Sequence, residues 1–395
     1  MSNNKMKFDT QSIHAGGEHQ NPENALNPPI FLTSTFAFEN TDKVDAVMNF
    51  ESDDYVYTRG NNPTLRLFEN RMAELEGGSG AVAFASGMAA ISSVLFSYLR
   101  PGDKVLVHKT LYGSSYNVVT KVLPKYNIGH TIADLAETEG LDKWVDKQTK
   151  VIYFETPSNP NLSIVDIKKI CEFARPRGIK VVIDNTFATP YFQRPLELGV
   201  DVVVHSATKY IGGHGDVVAG VAVSKDSDYI MSLKFDYMCE FGGVMSPFNA
   251  WLLLRGMKTL GLRMRQHEAN AIAAAEYLQG HAKVSEVFYP GLRDFTGHKV
   301  AREQMDGFGA IVSFEVKGGL EAAKRVVNNT RLFKLAVSLG DCESLVQLPA
   351  AMTHRGYDQE SLRQFGLSAG MIRLSLGLEH IDDILADLDQ ALAQA

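Results

Sequence analysis

The 395-residue sequence has little cysteine, no excess of positive charge and no apolar leader. Its cysteines, Cys171, Cys239 and Cys342, are far apart, which gives neither a metal cluster nor a disulfide framework and favours a reducing cytosol. The N-terminus has no apolar signal core, so we expect a cytoplasmic protein. With a net charge of -7 there is no basic patch, and we expect neither a nucleic-acid nor a membrane partner.

The sequence also lacks an unbroken membrane-spanning run and the common nucleotide-binding motifs. Residues 81–99 carry no charge and approach the length of a membrane span. Ser86 and Gly87 interrupt this segment and Pro101 follows it, which favours a buried strand, a turn and a buried helix instead. Neither G-x-G-x-x-G after a strand nor G-x-x-x-x-G-K-[ST] occurs, which disfavours a Rossmann dehydrogenase and a P-loop ATPase.

What the sequence does contain is a regular alternation of short apolar runs and amphipathic stretches. This pattern predicts an α/β fold with a large, mostly parallel sheet covered on both faces. We expect an extended N-terminal arm over residues 1–60, a cofactor-binding domain over 61–248, and a smaller C-terminal α/β domain with an antiparallel sheet over 249–395. The apolar runs of the large sheet are residues 80–85, 104–108, 150–155, 180–184, 201–207 and 217–224.

Polar residues follow several of these runs, at the strand ends where open α/β sheets bind ligands. Ser86-Gly87-Met88 precedes a helix, so its backbone N–H groups could bind a phosphate, although a plain strand-to-helix turn is the simpler interpretation of this stretch taken alone. Asp184 ends another run, and it is either a helix N-cap or a buried carboxylate that awaits a cation.

The third strand end carries Ser206, Thr208 and Lys209 among small residues. Ser206 and Lys209 also fit the S-x-x-K pattern of serine hydrolases, but the companion motifs S-D-N and K-T-G are absent. A buried lysine escapes the cost of its charge by forming a Schiff base with a carbonyl cofactor. Pyridoxal phosphate needs such a lysine, an anion at its ring nitrogen and a phosphate cradle, and the three strand ends supply all of them.

In these motifs the chain resembles the pyridoxal-phosphate enzymes of cysteine and methionine metabolism, which have the fold of the type I transferases. The resemblance extends over nearly the whole sequence and is carried by YVYTRGNNPT (55–64), FASGMAA (84–90), YFETPSNPNLSIVDI (153–167), residues 181–220 and MIRLSLGLE (371–379). It implies pyridoxal phosphate as cofactor, an amino acid as substrate, and a homotetramer built from dimers that share their active sites.

The resemblance assigns roles residue by residue. Lys209 would hold the cofactor and move protons, Asp184 would pair with its ring nitrogen, and Arg373 would receive the substrate carboxylate. Tyr112 would stack on the ring and protonate the leaving group, and Asn159 would touch the ring oxygen. Phosphate binding would fall to Ser86, Gly87, Met88, Ser206 and Thr208, joined by Tyr57 and Arg59 of a neighbouring subunit. Further substrate contacts would come from Tyr57, Ser114, Val337 and Ser338.

The reaction is expected to be α,γ-elimination of methionine or a related γ-substituted amino acid such as homocysteine. Val337 stands where relatives that process cystathionine carry Glu, and an apolar side chain suits an uncharged thioether. Two features differ from the methionine γ-lyase pattern: Ser114 replaces a cysteine, and Met238 and Cys239 replace a Lys-Asp pair. Cystathionine γ-lyase, O-acyl-homoserine sulfhydrylase and a non-catalytic binding protein of this fold remain as alternatives.

Overall fold

The computed structural model describes residues 6–17, 24–353 and 367–395. Within these ranges two sheets organise the chain. The larger sheet contains strands β1 to β7, which are Gly80–Phe84, Lys104–His108, Gly129–Ala133, Thr149–Glu155, Lys180–Asp184, Val202–His205 and Gly220–Ser224. The smaller contains β8 to β12, which are Val284–Phe288, Ile311–Val316, Lys334–Leu335, Leu345–Gln347 and Met371–Ser375.

Helices surround both sheets. The α-helices α1 to α14 are Phe8–His14, Thr41–Met48, Pro63–Glu76, Gly87–Tyr98, Gly113–Asn117, Ile167–Ala174, Thr189–Phe192, Ser227–Ser232, Cys239–Phe241, Pro247–Met257, Leu260–Gly280, His298–Gln304, Gly319–Asn329 and Ile381–Leu392. Short π-helical segments lie at Val118–Val122 and Leu233–Met238, and 3-10 turns at Leu123–Tyr126, Leu141–Trp144, Arg175–Arg177, Pro195–Leu198 and Pro349–Ala351.

The larger sheet has the order β1-β7-β6-β5-β4-β2-β3. Strands β2 to β6 pair in parallel, whereas β7 is antiparallel to both of its neighbours. Helices α3, α6 and α10 bury their apolar sides on one face of the sheet, and α4 and α8 bury theirs on the other. The prediction of a mostly parallel sheet covered on both faces is therefore confirmed.

The smaller sheet has the order β10-β11-β12-β9-β8, in which only β10 and β11 pair in parallel. Helices α11, α13 and α14 cover it and form a separate apolar core with its strands. A second sheet with its own apolar core agrees with the expected fold class, while the proposed domain limits at residues 60 and 248 stay predictions.

Some sequence expectations differ from the structure. The arm before residue 60 contains α1 and α2, so it is not extended throughout. The start of the proposed C-terminal domain is helical, and its two helices α10 and α11 are separated at Lys258 and Thr259. Strands β3 and β8 were not expected, because each lies at a sheet edge with much of its length partly exposed and so lacks a continuous apolar run. No helix in the described ranges is long and apolar enough to cross a membrane.

Candidate active site

A cavity of about 280 Å³ lies at the carboxyl ends of β4, β5 and β6. It lies beside the loop between β10 and β11 and includes Arg373 of β12, so both sheets contribute to it. Twelve of the residues expected at the site line this cavity together: Ser86, Gly87, Met88, Tyr112, Asn159, Asp184, Ser206, Thr208, Lys209, Val337, Ser338 and Arg373.

Ser86 and Gly87 form one wall of the cavity at the start of α4. The Ser86 side chain caps the helix by accepting a hydrogen bond from the Ala89 N–H at 3.1 Å. The next N–H groups, of Gly87 and Met88, have no carbonyl one turn earlier in the helix and can bind an anion. A Cβ at Gly87 would lie 2.8 Å from the Ser206 Cβ, so only glycine permits this approach of the two strand ends.

Ser206 and Thr208 complete this wall. The Ser206 N–H donates to the Thr186 Oγ1 at 2.8 Å. The Thr208 hydroxyl already donates to the Ala219 carbonyl at 3.1 Å and accepts from the Ala219 N–H at 2.9 Å. Thr208 therefore holds the chain before β7 in place, and it could donate to a phosphate only by giving up the bond to the carbonyl.

Asp184 ends β5 and also lines the cavity. Its Oδ1 accepts hydrogen bonds from the Thr186 N–H at 3.0 Å and the Thr186 hydroxyl at 2.5 Å. Burial raises the pKa of Asp184, while these two bonds and nearby His205 oppose the rise. The helix-cap alternative for Asp184 is wrong, because the next helix begins at Thr189 and has Ala188 at its N-cap.

Glu155 lies beside Asp184 at the end of β4 and also lines the cavity. Its Oε1 accepts a hydrogen bond from the Tyr112 N–H at 2.7 Å, which fixes the backbone that carries the Tyr112 ring. Burial and the charge of Asp184 raise the pKa of Glu155 well above its usual range. The sequence analysis did not identify Glu155 or Thr186 as site residues. Glu155 could have been identified, because it is a carboxylate at the end of an apolar run, as Asp184 is.

Lys209 lines the cavity from the segment after β6. Its Nζ donates a hydrogen bond to the Ser338 Oγ at 3.0 Å. Burial lowers the pKa of Lys209, the Arg373 charge lowers it further, and Asp341 opposes both effects. A neutral amine is a nucleophile, so this environment suits a lysine that reacts with a carbonyl group.

Arg373 is buried in the middle of β12 and stays charged, since burial lowers its pKa only to about 10. Its guanidinium donates to the Asn159 Oδ1 at 2.8 Å and the Ser338 carbonyl at 2.7 Å. The Gln347 amide oxygen, when turned toward it, accepts from the Arg373 Nε at 3.0 Å. All three acceptors are neutral, and within the described ranges no carboxylate forms an ion pair with Arg373.

Three of the expected residues lie outside the cavity. Tyr57 and Arg59 are exposed on the turn before α3, with the Arg59 guanidinium 5.5 Å from the centre of the Tyr57 ring. Ser114 is partly buried in α5, two residues after Tyr112. In the single chain the structure therefore does not bring these three side chains to Lys209.

Met238 and Cys239 also lie away from the cavity. Both side chains are buried in the apolar core that α4 forms with the larger sheet. The Cys239 thiol donates a hydrogen bond to the Arg59 carbonyl at 3.4 Å, so this cysteine supports the turn that carries Tyr57 and Arg59.

The residues present fit pyridoxal phosphate. Gly87 lets Ser206 approach the start of α4, which places the Ser206 side chain beside the Gly87 and Met88 N–H donors and suits the phosphate. The Lys209 amine and the Asp184 carboxylate line the same cavity and match the carbonyl and the ring nitrogen of the cofactor. The mostly parallel sheet, with a partly buried lysine following one strand and an anion cradle at the helix after another, defines a type I pyridoxal-phosphate enzyme.

Comparison with known proteins narrows this class. Residues 9–393 match the family described as Cys/Met metabolism PLP-dependent enzyme, and the chain belongs to that family. It is 46% identical over 392 residues to the L-methionine gamma-lyase of Pseudomonas putida, covering 99% of this chain and 98% of the relative. It is 42% identical over 383 residues to a cystathionine beta-lyase of Lactococcus lactis subsp. cremoris, covering 97% and 98%.

A solved structure agrees with this assignment. The cystathionine gamma synthase of Xanthomonas oryzae pv. oryzae, in complex with cystathionine, superposes with a TM-score of 0.93. The two chains are 41% identical, and the match covers 98% of each. The family is therefore shown by both sequence and fold, and its members are pyridoxal-phosphate enzymes.

Proposed function

We propose that this chain is a carbon–sulfur lyase that converts L-methionine and water to methanethiol, 2-oxobutanoate and ammonia. Homocysteine, with the same carbon chain, is the next candidate substrate. The observation that carries the proposal is the meeting of Lys209, Arg373 and Val337 around one cavity. These side chains offer a reactive amine, a charged receptor for a carboxylate and an apolar wall for a thioether.

Arg373 would orient the substrate. Its hydrogen-bond acceptors in the described chain are all neutral, so its buried positive charge has no compensating anion. A substrate carboxylate would provide that anion. The planar guanidinium can hold both carboxylate oxygens, and this bidentate contact would fix the Cα–H bond relative to Lys209.

Lys209 and Tyr112 would move the protons. Pyridoxal phosphate, when bound, supplies an electron sink that makes hydrogens next to the substrate amine acidic. The Lys209 Nζ would take the proton from Cα and return it to the carbon chain, which requires the neutral amine that its burial favours. The Tyr112 hydroxyl, at the cavity wall, would donate a proton to the departing sulfur.

Asp184 and the start of α4 would hold the cofactor. The Asp184 carboxylate, oriented by Thr186, would stabilise a protonated ring nitrogen, and the N–H groups of Gly87 and Met88 would bind the phosphate. Tyr57 and Arg59 are exposed outside this cavity, which supports the proposal that they act in the site of a second subunit within a homotetramer.

A substrate panel tests the proposal. The purified protein is incubated with methionine, homocysteine, cystathionine, and O-acetylhomoserine with and without sulfide, and 2-oxobutanoate and thiol are measured. Release of both products from methionine without an added nucleophile supports the lyase. If the best reaction requires sulfide and yields homocysteine, the protein is a sulfhydrylase and the proposal is wrong. Preference for cystathionine would assign it as cystathionine γ-lyase.

Val337 provides a sharper test of the apolar wall. In Val337→Glu the new carboxylate could bind the distal ammonium of cystathionine, so the ratio of kcat/KM for cystathionine to that for methionine should rise about tenfold. Leu335→Glu is the matched control, because Leu335 is similarly exposed but lies outside the cavity. An equal change in both variants would remove Val337 from the list of specificity residues.

A further inference from the structure

Two titratable side chains that the proposed mechanism does not use, Glu76 and His205, form a hydrogen bond in the interior of the protein. Glu76 is the last residue of α3 and His205 is the last residue of β6, and both side chains are fully buried. The His205 Nε2 donates to the Glu76 Oε1 at 2.5 Å. Neither residue lines the cavity, so any influence on a molecule bound there must act through other residues.

Asn185 joins this pair. Its Nδ2 donates to the same Glu76 Oε1 at 3.1 Å and to the Gln193 carbonyl at 2.9 Å. The Asn185 backbone N–H donates to the Val204 carbonyl at 3.0 Å, which continues the pairing of β5 with β6 by one residue. A single carboxylate oxygen of Glu76 therefore links the residue that follows β5 to the residue that ends β6.

The two linked residues adjoin the cavity. Asp184 directly precedes Asn185, Ser206 directly follows His205, and both Asp184 and Ser206 line the cavity. In the proposed site the Asp184 carboxylate pairs with the ring nitrogen of the cofactor and Ser206 binds its phosphate. These are different parts of one molecule, so the separation of the two strand ends decides whether the cofactor reaches both contacts at once.

The chemistry of the buried pair indicates what it contributes. A carboxylate and an imidazole lose their hydration on burial, and apolar side chains of similar volume often pack in such places at least as stably. Hydrogen bonds are directional, however, so the two bonds that meet at the Glu76 Oε1 permit only a narrow range of positions for their donors. Glu76 is therefore better suited to fixing the two strand ends than to stabilising the fold.

We propose that Glu76 is a positioning residue that sets the spacing of the two strand ends to which the cofactor binds. The cavity wall carries a first link between them, because the Ser206 N–H donates to the Thr186 Oγ1 at 2.8 Å and the Thr186 hydroxyl donates to the Asp184 Oδ1 at 2.5 Å. Glu76 adds a second link through residues outside the cavity lining. The inference rests on the proposed function only through the cofactor contacts of Asp184 and Ser206, and it does not depend on the substrate.

The test compares pyridoxal phosphate, which would reach both strand ends, with pyridoxal, which lacks the phosphate. The holoenzyme and its variants are dialysed to equilibrium against a concentration series of either compound, and the bound fraction is measured by visible absorption. Glu76→Leu keeps most of the side-chain volume but cannot accept the two hydrogen bonds, so its Kd for pyridoxal phosphate should rise about tenfold. Its Kd for pyridoxal should rise less than about threefold, because this molecule does not need both strand ends at a fixed separation.

Two further variants separate positioning from general stability. Glu76→Gln keeps an oxygen that can accept both bonds, and its amide nitrogen replaces the Oε2, which has no hydrogen-bond partner among the described residues. Its Kd for pyridoxal phosphate should stay within about threefold of the wild-type value. Asp201→Ala is the matched control, because the Asp201 Oδ2 accepts from the Val181 N–H at 2.9 Å and so links β5 and β6 at their amino ends, outside the cavity lining. This control should leave both Kd values unchanged.

Circular dichroism and the melting temperature show whether each variant is folded. If Glu76→Leu does not fold, Asn185→Ala removes one of the two bonds and must raise the Kd for pyridoxal phosphate more than that for pyridoxal. An unchanged Kd in the folded variants, an equal rise for both compounds, or a loss in Glu76→Gln as large as in Glu76→Leu overturns the inference. A protein that shows the expected Kd changes but does not cleave methionine would instead overturn the proposed function and support the inference.

Discussion

The Lys209 Nζ donates a hydrogen bond to the Ser338 Oγ at 3.0 Å, across the boundary between the two sheets. Ser338 also accepts a hydrogen bond from the Arg373 guanidinium through its carbonyl, at 2.7 Å. Ser338 therefore lies between the Lys209 amine and the Arg373 guanidinium that would bind the substrate carboxylate. The predictions below follow from this arrangement and from the burial of charged groups around it.

Replacing the reactive amine should stop the reaction without unfolding the protein. We expect Lys209→Ala to lower kcat by at least about 10²-fold, because no other amine lines the cavity in the described chain. Absorption spectra should show that the lysine-bound cofactor band is absent while the far-UV circular dichroism is unchanged. Full activity in this variant would disprove the assigned role of Lys209.

The carboxylate receptor should affect mainly substrate binding. Arg373→Lys keeps the charge but loses the bidentate geometry, so KM for methionine should rise about 10- to 100-fold. Steady-state kinetics measures this change, and the exposed Arg265→Lys is the surface control. If KM stays at the wild-type value, the carboxylate binds elsewhere.

Sharing of the site between subunits can be measured by complementation. Arg59→Ala and Lys209→Ala should each be nearly inactive, but random pairing of the two chains should restore about a quarter of the wild-type activity. Hybrid dimers then contain one site in which both residues are intact. A mixture of Lys209→Ala with Asp184→Asn is the control without rescue, because both defects lie in the same cavity. Activity that never exceeds that of the separate variants would place Arg59 outside the partner's site.

Stability should fall in mild acid because of His108. This side chain is fully buried, its Nδ1 accepts a hydrogen bond from the Leu135 N–H at 3.0 Å, and burial lowers its pKa to about 4. An unfolded histidine has a pKa near 6.5, so between those values only the unfolded chain binds the proton. The stabilisation that the neutral His108 side chain contributes is thus present above about pH 6.5 and is lost as the pH falls toward 4. His108 should therefore account for about 2 kcal/mol of the fall in the free energy of unfolding between pH 7 and pH 5.

Denaturant unfolding of His108→Asn at these two pH values checks the last prediction. The Asn amide oxygen can still accept the Leu135 N–H but does not titrate, so the difference between pH 7 and pH 5 should shrink by about 2 kcal/mol. An undiminished difference in His108→Asn would show that other groups cause the loss.

Local sequence patterns predicted the larger sheet well. Strands β4, β5 and β6 are buried on both faces, so they appear as apolar runs, and the residues that follow them, including Lys209, could be assigned to the ligand-binding edge. The edge strands β3 and β8 could not be found in this way. Each is exposed along part of its length, so its sequence resembles that of a loop.

The sequence by itself determined the cofactor class, because an amine, a carboxylate and an anion cradle each follow a recognisable strand. Only the tertiary structure decided which distant residues meet them. Ser338 contacts both Lys209 and Arg373, and Gly340 packs against the Lys209 backbone, because the smaller sheet packs beside the strand ends of the larger one. Such contacts between residues far apart in the chain depend on the packing of whole sheets. They cannot be predicted from the local spacing of apolar residues.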